Sequence, residues 1–202
     1  MNLETWFPTV IAYTDGNLLE ELPAYYDYCA ELTQDIPRGT PFTSSYLTST
    51  LNYHNPLWNK NIIHDTRFSK LCKLVNEQGT KFGEFLGYKY ELEITNAWIN
   101  KIGPNDYHGF HNHISGGNSL IVGCFYVSAP SGSKINFKSP YAEDYSPIEP
   151  SADTPYNTKI VQYHCVPGRI MLWRANILHG YDAHNSSEIK FSIAFNLAVK
   201  QK

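Results

Sequence analysis

The second half of the chain is divided into short segments with the composition of β-strands, and this division limits the folds available to it. From Tyr88 onward, runs rich in β-branched and aromatic residues are separated by Gly, Pro, Asn and Ser. Short strands at such spacing predict an antiparallel sandwich or barrel. The predicted strands are Glu91–Ile99, Ser119–Ser128, Lys134–Lys138, Thr158–His164, Arg169–Arg174 and Ile189–Val199.

The first half of the chain has helical or irregular character instead. Apolar residues recur there near helical spacing, and Asp65 is suited to cap a helix start. The predicted helices are Leu18–Leu22, continued past Pro23 by Tyr25–Leu32, and a longer one from Asp65 to about Leu86. Helices that precede a set of strands tend to pack on one outer face of a sheet.

The last predicted strand has the clearest alternation of apolar and polar residues. One face carries Phe191, Ile193, Phe195 and Leu197. The other face carries Lys190, Ser192, Ala194 and Asn196. The apolar face needs cover, which the N-terminal helices can supply. A polar inner face with a cation indicates a cavity that binds something.

Length, charge and cysteine content narrow the class of protein. The 202 residues suit one domain, with residues 1–88 as helical or irregular support and residues 89–200 as the β core. A net charge of −3 with scattered Lys and Arg disfavours nucleic acid, and no apolar run approaches the roughly 20 residues of a membrane span. Residues 1–14 do not resemble a signal peptide, and the four Cys match no zinc pattern. We therefore expect free thiols and a cytoplasmic location.

Three elements of the β half could do chemistry together. His111 and His113 stand two residues apart, so in an extended segment both imidazoles project to one side. His179 follows a predicted strand, in a strand-end loop where functional residues are common. Lys190 and Ser192 share one face of the last strand. Each element taken singly is more often structural or solvated; their order along the chain carries the information.

That order is similar to the order in 2-oxoglutarate/iron(II)-dependent oxygenases, above all a small prolyl-hydroxylase-like branch found in bacteria and marine phages. The resemblance covers most of residues 90–200 and patches before them. Its stretches are 97–100, 110–113, 122–127, 135–137, 167–170 and 190–196, with residues 6–10 near the start. It implies a mainly β double-stranded β-helix (a cupin-like jelly roll) with helices packed on one outer face.

The resemblance also implies an iron(II) site. The family's His-x-Asp/Glu pair falls on His111 and His113, and its distal histidine on His179. His113 therefore stands where a carboxylate is usual, which would make the site one charge more positive. An outside carboxylate, from Asp106 or Asp182, remains an alternative, and His108 is a spare ligand.

The cosubstrate site follows in the same way. The family's Arg-x-Ser pair, which binds the far carboxylate of 2-oxoglutarate, falls on Lys190 and Ser192. Lys can neutralise a carboxylate but lacks the planar two-pronged geometry of Arg. Tyr126 is the implied tyrosine of the cosubstrate site, and Arg174 is a further candidate.

The resemblance implies a dioxygenase, specifically a hydroxylase, that couples conversion of 2-oxoglutarate to succinate with oxidation of a small-molecule or peptide substrate, such as a prolyl residue, by molecular oxygen. Two alternatives remain: a three-histidine cupin-like metalloenzyme that does not use 2-oxoglutarate, and a non-catalytic jelly-roll module. The segments Gly39–Lys60 and Tyr141–Thr158 are long enough to form lids. The oligomeric state stays open, with a homodimer as one option.

Overall fold

The computed structural model describes residues 1–2, 4, 7–39, 45–51, 55–114, 119–141 and 151–201. The strands are β1 Ile11–Thr14, β2 Ser45–Tyr46, β3 Thr48–Ser49, β4 Leu92–Ile102, β5 Tyr107–His111, β6 Ile121–Ser128, β7 Lys134–Lys138, β8 Ile160–His164, β9 Ile170–Arg174, β10 His179–Tyr181 and β11 Lys190–Val199. The helices are α1 Leu22–Thr33 and α2 Ser69–Phe85, with short 3₁₀ turns at Leu19–Glu21, Ile62–His64 and Thr66–Phe68.

The strands form two antiparallel sheets. The larger has the order β1-β9-β6-β11-β4-β3, and the smaller has the order β2-β5-β10-β7-β8. The long strands β4 and β11 pair along nearly their whole length, with Lys190 opposite Ile102 and Val199 opposite Leu92. The larger sheet therefore provides a broad face on which the short strands of the smaller sheet pack.

The two helices cover the outer face of the larger sheet, as the alternation in the last strand predicted. Phe191, Ile193, Phe195 and Leu197 are all buried there, in one cluster with Leu71 and Val75 of α2 and with Tyr25 and Cys29 of α1. Burying a side chain of this size stabilises the fold by roughly 1.5–3 kcal/mol relative to exposure. The apolar stripe on α2 and the apolar face of β11 thus determine which side of the sheet the helices occupy.

A second apolar cluster fills the space between the two sheets. It includes Val122, Tyr126 and Trp173 from the larger sheet and Phe137 and Tyr181 from the smaller one. Lys190, Ser192 and Asn196 of β11 lie on this inner side and are buried as well. The polar row of the last strand therefore faces the interior between the sheets, which confirms the prediction of a polar inner face.

Most predicted elements are present, with shifted ends. The helix predicted from Asp65 begins with a 3₁₀ turn, and the Asp65 carboxylate accepts a hydrogen bond from the Arg67 amide N–H as an N-cap does. The short strands β1, β5 and β10 were missed, and β2 and β3 lie in the segment Gly39–Lys60, for which no strand bounds were predicted. The placement of His179 in a loop was wrong, because this residue begins β10. Trp6 and parts of both predicted lids, residues 40–44, 52–54 and 142–150, lie outside the described residues.

The cysteines can be compared with the expectation of free thiols. Cys29, Cys72, Cys124 and Cys165 all lie in the described part of the chain and are free thiols. Burial raises the pKa of the Cys124 thiol to about 12, which keeps it protonated and unreactive near neutral pH. Neither helix within the described ranges is long and apolar enough to cross a membrane.

Candidate active site

Three imidazoles meet between the two sheets, at one end of the smaller sheet. His111 ends β5 and lies opposite His179, the first residue of β10. The backbone N–H of His113 donates to the Ala175 carbonyl, which ties the segment after β5 to the β9–β10 turn. The ring centre of His179 lies 4.3 Å from that of His111 and 5.1 Å from that of His113. One nitrogen from each ring lies within 4.8 Å of the other two.

Each of the three rings has an oxygen acceptor at its Nδ1 atom. The contacts are His111 Nδ1 to Gly109 O at 2.9 Å, His113 Nδ1 to Asn196 Oδ1 at 2.6 Å and His179 Nδ1 to Ile177 O at 3.0 Å. An amide oxygen carries no proton, so each Nδ1 is the N–H donor and each Nε2 keeps its lone pair. Such partners fix both the tautomer and the ring orientation of metal-binding histidines.

Trp173 makes a competing contact with His179. The indole Nε1 lies 3.3 Å from the same Nδ1 atom, in the geometry of a donor. The shorter contact, with the Ile177 carbonyl, requires the proton to be on Nδ1, and a protonated Nδ1 cannot accept from the indole. The carbonyl therefore decides the tautomer. Trp173 contributes packing, with its ring edge against His179 at 4.7 Å between centres.

The three histidines are neutral in the folded protein at neutral pH. Burial lowers the pKa of His113 to about 4. Burial also lowers the pKa of His111 and, strongly, that of His179. Because a metal ion binds the deprotonated imidazole nitrogen, these environments leave the site ready for a metal at neutral pH.

The donor set fits a divalent transition metal. Three neutral imidazole nitrogens suit Fe, Zn, Cu or Ni, and three ligands leave further coordination positions open. Neither carboxylate considered as an alternative joins the cluster. Asp106 is buried and bound to Arg38 and to the Gly103 amide N–H. Asp182 is exposed and accepts a hydrogen bond from the Asn136 side chain. Among the described residues, His113 is thus the third donor.

A buried cation lies deeper in the same interior. Lys190, the first residue of β11, is 1% exposed, and its Nζ lies 3.5 Å from the ring centre of Tyr181. Within the described ranges no carboxylate forms an ion pair with it. Burial lowers the pKa of Lys190 to about 8, so it is still mostly charged at neutral pH. A buried ammonium that contacts an aromatic ring but no carboxylate of the described residues is suited to bind an anion.

Unpaired polar atoms lie beside this cation. Ser192 is fully buried, and its Oγ has no hydrogen-bond partner in the described part of the chain. The same is true of Oδ1 of Asn100, which lies opposite Ser192 on β4. Since buried polar atoms are nearly always paired in folded proteins, these atoms indicate a place where a polar ligand or water belongs.

The other two predicted cosubstrate residues differ in their placement. Tyr126 faces the interior, and its hydroxyl lies 3.2 Å from that of Tyr181, the residue under Lys190. Arg174 does not reach the site. It follows Ile170 and Leu172 on the helix-covered face of β9, whereas Met171 and Trp173 face the interior. Its side chain is exposed at the strand end.

Several residues around the site were not predicted to take part. Asn196 holds His113, Asn100 lies beside Ser192, and the ring of Tyr181 lies under Lys190. Asn196 and Ser192 share one face of β11, so the alternation of that strand could have indicated Asn196. The contribution of Tyr181 depends on the pairing of β10, for which the sequence offers no periodic signal.

A separate cavity of about 290 Å³ lies on the other side of the larger sheet. It is bounded by β1, β9 and α2, with Ala12, Phe82 and Leu172 among its apolar walls. Its only nearby cation within this lining is Lys81. It holds none of the histidines, so the chemistry described above is confined to the interior between the sheets.

Comparison with known families agrees with this arrangement. A family sequence model described as "Putative 2OG-Fe(II) oxygenase" matches residues 96–196, which is half of the chain. The chain belongs to this family. The matched stretch runs from the middle of β4 to Asn196 and so contains all three histidines, Lys190 and Ser192. No curated protein sequence matches the oxygenase.

Solved structures resemble the oxygenase along nearly its whole length. A prolyl-4-hydroxylase from Pseudomonas putida has 8% identity and a TM-score of 0.65, over 96% of this chain and 94% of that one. A prolyl hydroxylase from Trichoplax adhaerens, in complex with a hypoxia inducible factor peptide fragment, has 11% identity and a TM-score of 0.64, over 94% and 83%. HygX from Streptomyces hygroscopicus, with nickel, 2-oxoglutarate and hygromycin B bound, has 12% identity and a TM-score of 0.58, over 95% and 84%.

These likenesses confirm the double-stranded β-helix predicted from the sequence, and the family match confirms the predicted enzyme class. The protein is a 2-oxoglutarate-dependent iron(II) oxygenase, and its cofactors are iron(II) and 2-oxoglutarate. It uses molecular oxygen and an organic substrate. The three-histidine enzyme without 2-oxoglutarate and the non-catalytic module are therefore not the function of this chain.

Proposed function

We propose that His111, His113 and His179 bind the iron(II) of this oxygenase through their Nε2 atoms. The observation that carries this assignment is the shared hydrogen-bonding pattern, in which every Nδ1–H donates to an oxygen and every Nε2 is left with its lone pair. A set of surface or core histidines has no reason to adopt one tautomer and one convergent orientation. A metal site requires both.

We further propose that Lys190 and Ser192 bind the far carboxylate of 2-oxoglutarate. Lys190 supplies a buried positive charge, and Ser192 supplies a hydroxyl whose Oγ lacks a partner within the described chain. A charge-assisted hydrogen bond from the ammonium would offset the cost of its burial. Tyr126 supports this end of the site through its hydroxyl contact with Tyr181, on which Lys190 rests.

Bound iron(II), together with 2-oxoglutarate and oxygen, supplies the decarboxylation that gives succinate and the oxidation of a substrate C–H bond. The residues of the chain contribute position and a dry environment. The histidines stay neutral, so they hold the metal without competing for protons. Trp173, Phe137 and Tyr181 exclude water from the floor of the site, which strengthens the electrostatic attraction between Lys190 and a carboxylate.

An anaerobic titration tests these assignments. Adding 2-oxoglutarate to the iron(II)-loaded protein is expected to produce the visible charge-transfer absorption of a chelated 2-oxo acid, and subsequent exposure to oxygen is expected to yield succinate. Saturation should occur at one iron and one 2-oxoglutarate per chain. Iron binding with neither the absorption nor succinate would contradict the proposed cosubstrate site. Absence of tight iron binding would contradict the proposed metal ligands.

The contact between Asn196 and His113 leads to a prediction about metal affinity. Replacing Asn196 with Leu removes the acceptor that orients the imidazole, and we expect metal to bind roughly 10- to 100-fold more weakly. Replacing Asn196 with Asp keeps an acceptor and adds a negative charge behind the ring, so we expect metal affinity to equal or exceed that of the wild type. Competition titration with nickel(II) measures both. Equal affinities for the Leu variant and the wild type would show that this contact does not position His113.

We propose hydroxylation as the reaction, with a peptidyl substrate, such as a prolyl residue, as the first class to test. Support comes from the prolyl hydroxylases among the similar folds, one of which was solved with a peptide. Screening of proline-containing peptides by mass spectrometry, for addition of one oxygen atom coupled to succinate, tests this proposal. HygX, with its bound hygromycin B, makes small molecules the second class.

We also keep as proposals a single domain over residues 1–202 and a cytoplasmic location, which the four free thiols support. A homodimer stays one option for the assembly. The net charge of −3 supports the proposal that nucleic acid is not a partner.

A further inference from the structure

A fourth histidine, His108, faces the same interior because β5 contains a bulge. His179 lies opposite His111, but Tyr181 lies opposite His108, so β5 has one more residue than β10 over this stretch. In a regular strand, residues three apart project to opposite faces. The extra residue turns His108 to the face of His111, and the two rings stack with centres 4.0 Å apart and an interplanar angle of 23°.

The bulge is fixed by a close backbone approach. A Cβ atom at Gly180 would come within 2.5 Å of the His108 carbonyl oxygen, so only glycine lets β10 lie this near to β5. The inward direction of His108 is therefore built into the strand pairing. It does not depend on the side-chain rotamer alone.

His108 is not placed to be a metal ligand. The ligand nitrogens that lie within 4.8 Å of one another belong to the other three histidines, and no nitrogen of His108 is in that group. The prediction of His108 as a spare ligand is not supported by this geometry.

The Nδ1 atom of His108 is nevertheless buried, with no hydrogen-bond partner in the described ranges. A buried nitrogen without a partner costs roughly 1–3 kcal/mol, so a group that belongs in this interior is expected to satisfy it. The ring centre lies 6.5 Å from that of Tyr181, whose face contacts the Lys190 ammonium. His108 thus stacks on His111, one of the three clustered histidines, and lies near Tyr181, the ring that Lys190 contacts.

We propose that His108 is a cosubstrate-binding residue whose Nδ1–H donates a hydrogen bond to the carboxylate of 2-oxoglutarate that lies next to the metal. This inference rests on the proposed metal and Lys190 sites, between which 2-oxoglutarate would extend. The three liganding histidines have already used their N–H groups on protein oxygens, so they offer that carboxylate no donor. His108 is the neighbouring imidazole whose Nδ1 is still without a partner in the described chain.

The test compares two ligands on the nickel(II)-loaded protein, in which turnover does not occur. His108→Phe keeps the ring stack and removes the donor. We expect 2-oxoglutarate to bind roughly 10- to 100-fold more weakly, because hydrogen bonds to charged groups have about this effect. Succinic semialdehyde keeps the oxo group and the far carboxylate but lacks the carboxylate next to the metal, so its affinity is expected to change by less than about twofold. His108→Asn, which retains an N–H donor, is expected to recover part of the 2-oxoglutarate affinity.

Three results would overturn the inference. They are unchanged 2-oxoglutarate binding in His108→Phe, an equal loss for both ligands, and a loss of nickel(II) affinity. A different result would count against the proposed function instead. If wild-type protein with nickel(II) fails to bind 2-oxoglutarate, or binds it independently of Lys190, then the metal and carboxylate sites are misassigned. The two failures are therefore distinguishable.

Discussion

The substitution His179→Ala is expected to remove tight metal binding and to lower the rate of succinate formation by roughly a thousandfold or more, because the metal contributes several kcal/mol to such reactions. His179 is the most buried of the three histidines, and its ring lies near both others. Without it, His111 and His113 are left as two donors on the open side of the site. Nickel(II) titration and succinate formation from 2-oxoglutarate measure the two effects.

The design needs controls, because Ala also leaves a cavity against Trp173. His179→Gln fills most of that space and is expected to lose the metal while unfolding at nearly the wild-type temperature. His164→Ala removes an exposed histidine of the edge strand β8 and is expected to change neither metal binding nor turnover. Wild-type metal affinity in both His179 variants would exclude this residue as a ligand.

The sequence predicted the long elements better than the short ones. Both helices and six of the strands follow from apolar spacing and from runs rich in β-branched and aromatic residues. The strands β5 and β10 contain Tyr, His, Gly and Phe, with no β-branched residue. They pair with each other, β5 also pairs with β2, and β10 also pairs with β7. This pairing is a property of the tertiary fold that local propensity does not encode.

The active site was predictable in its order along the chain but not in its detail. The three histidines come together as the resemblance implied. The acceptors that orient His111 and His179 lie only two residues away in sequence, whereas the acceptor for His113 is 83 residues away. The bulge that turns His108 inward leaves no trace in the hydrophobic pattern. Arg174 was a candidate for the cosubstrate site, but it lies on the outer face of β9. This strand is apolar on both faces, so its sequence does not reveal which residues face the interior.

Substitution of Lys190 is expected to have the second large effect, because it should weaken 2-oxoglutarate binding while it stabilises the ligand-free fold. Replacing it with Met is expected to weaken 2-oxoglutarate binding by roughly a hundredfold, since truncating one partner of a buried charge pair costs several kcal/mol. The same change is expected to stabilise the ligand-free protein. The pKa of Lys190 falls from 10.5 to about 8 on folding, which corresponds to a penalty of about 3 kcal/mol for burying the charge at neutral pH.

The pH dependence identifies the cause of this effect. The unfolded chain holds the Lys190 proton more tightly than the folded chain does. The free energy of unfolding of the wild type should therefore rise as the pH increases from about 8 toward 10.5, because the cost of burying the charge disappears over this range. Lys190→Met should lack this rise, and its advantage in free energy of unfolding should therefore shrink across the same window. Denaturant titrations at several pH values measure it. Lys134→Met, at the exposed start of β7, is the matched control and should change neither quantity. A destabilised Lys190→Met that still binds 2-oxoglutarate would mean that the ammonium serves the fold and not the cosubstrate.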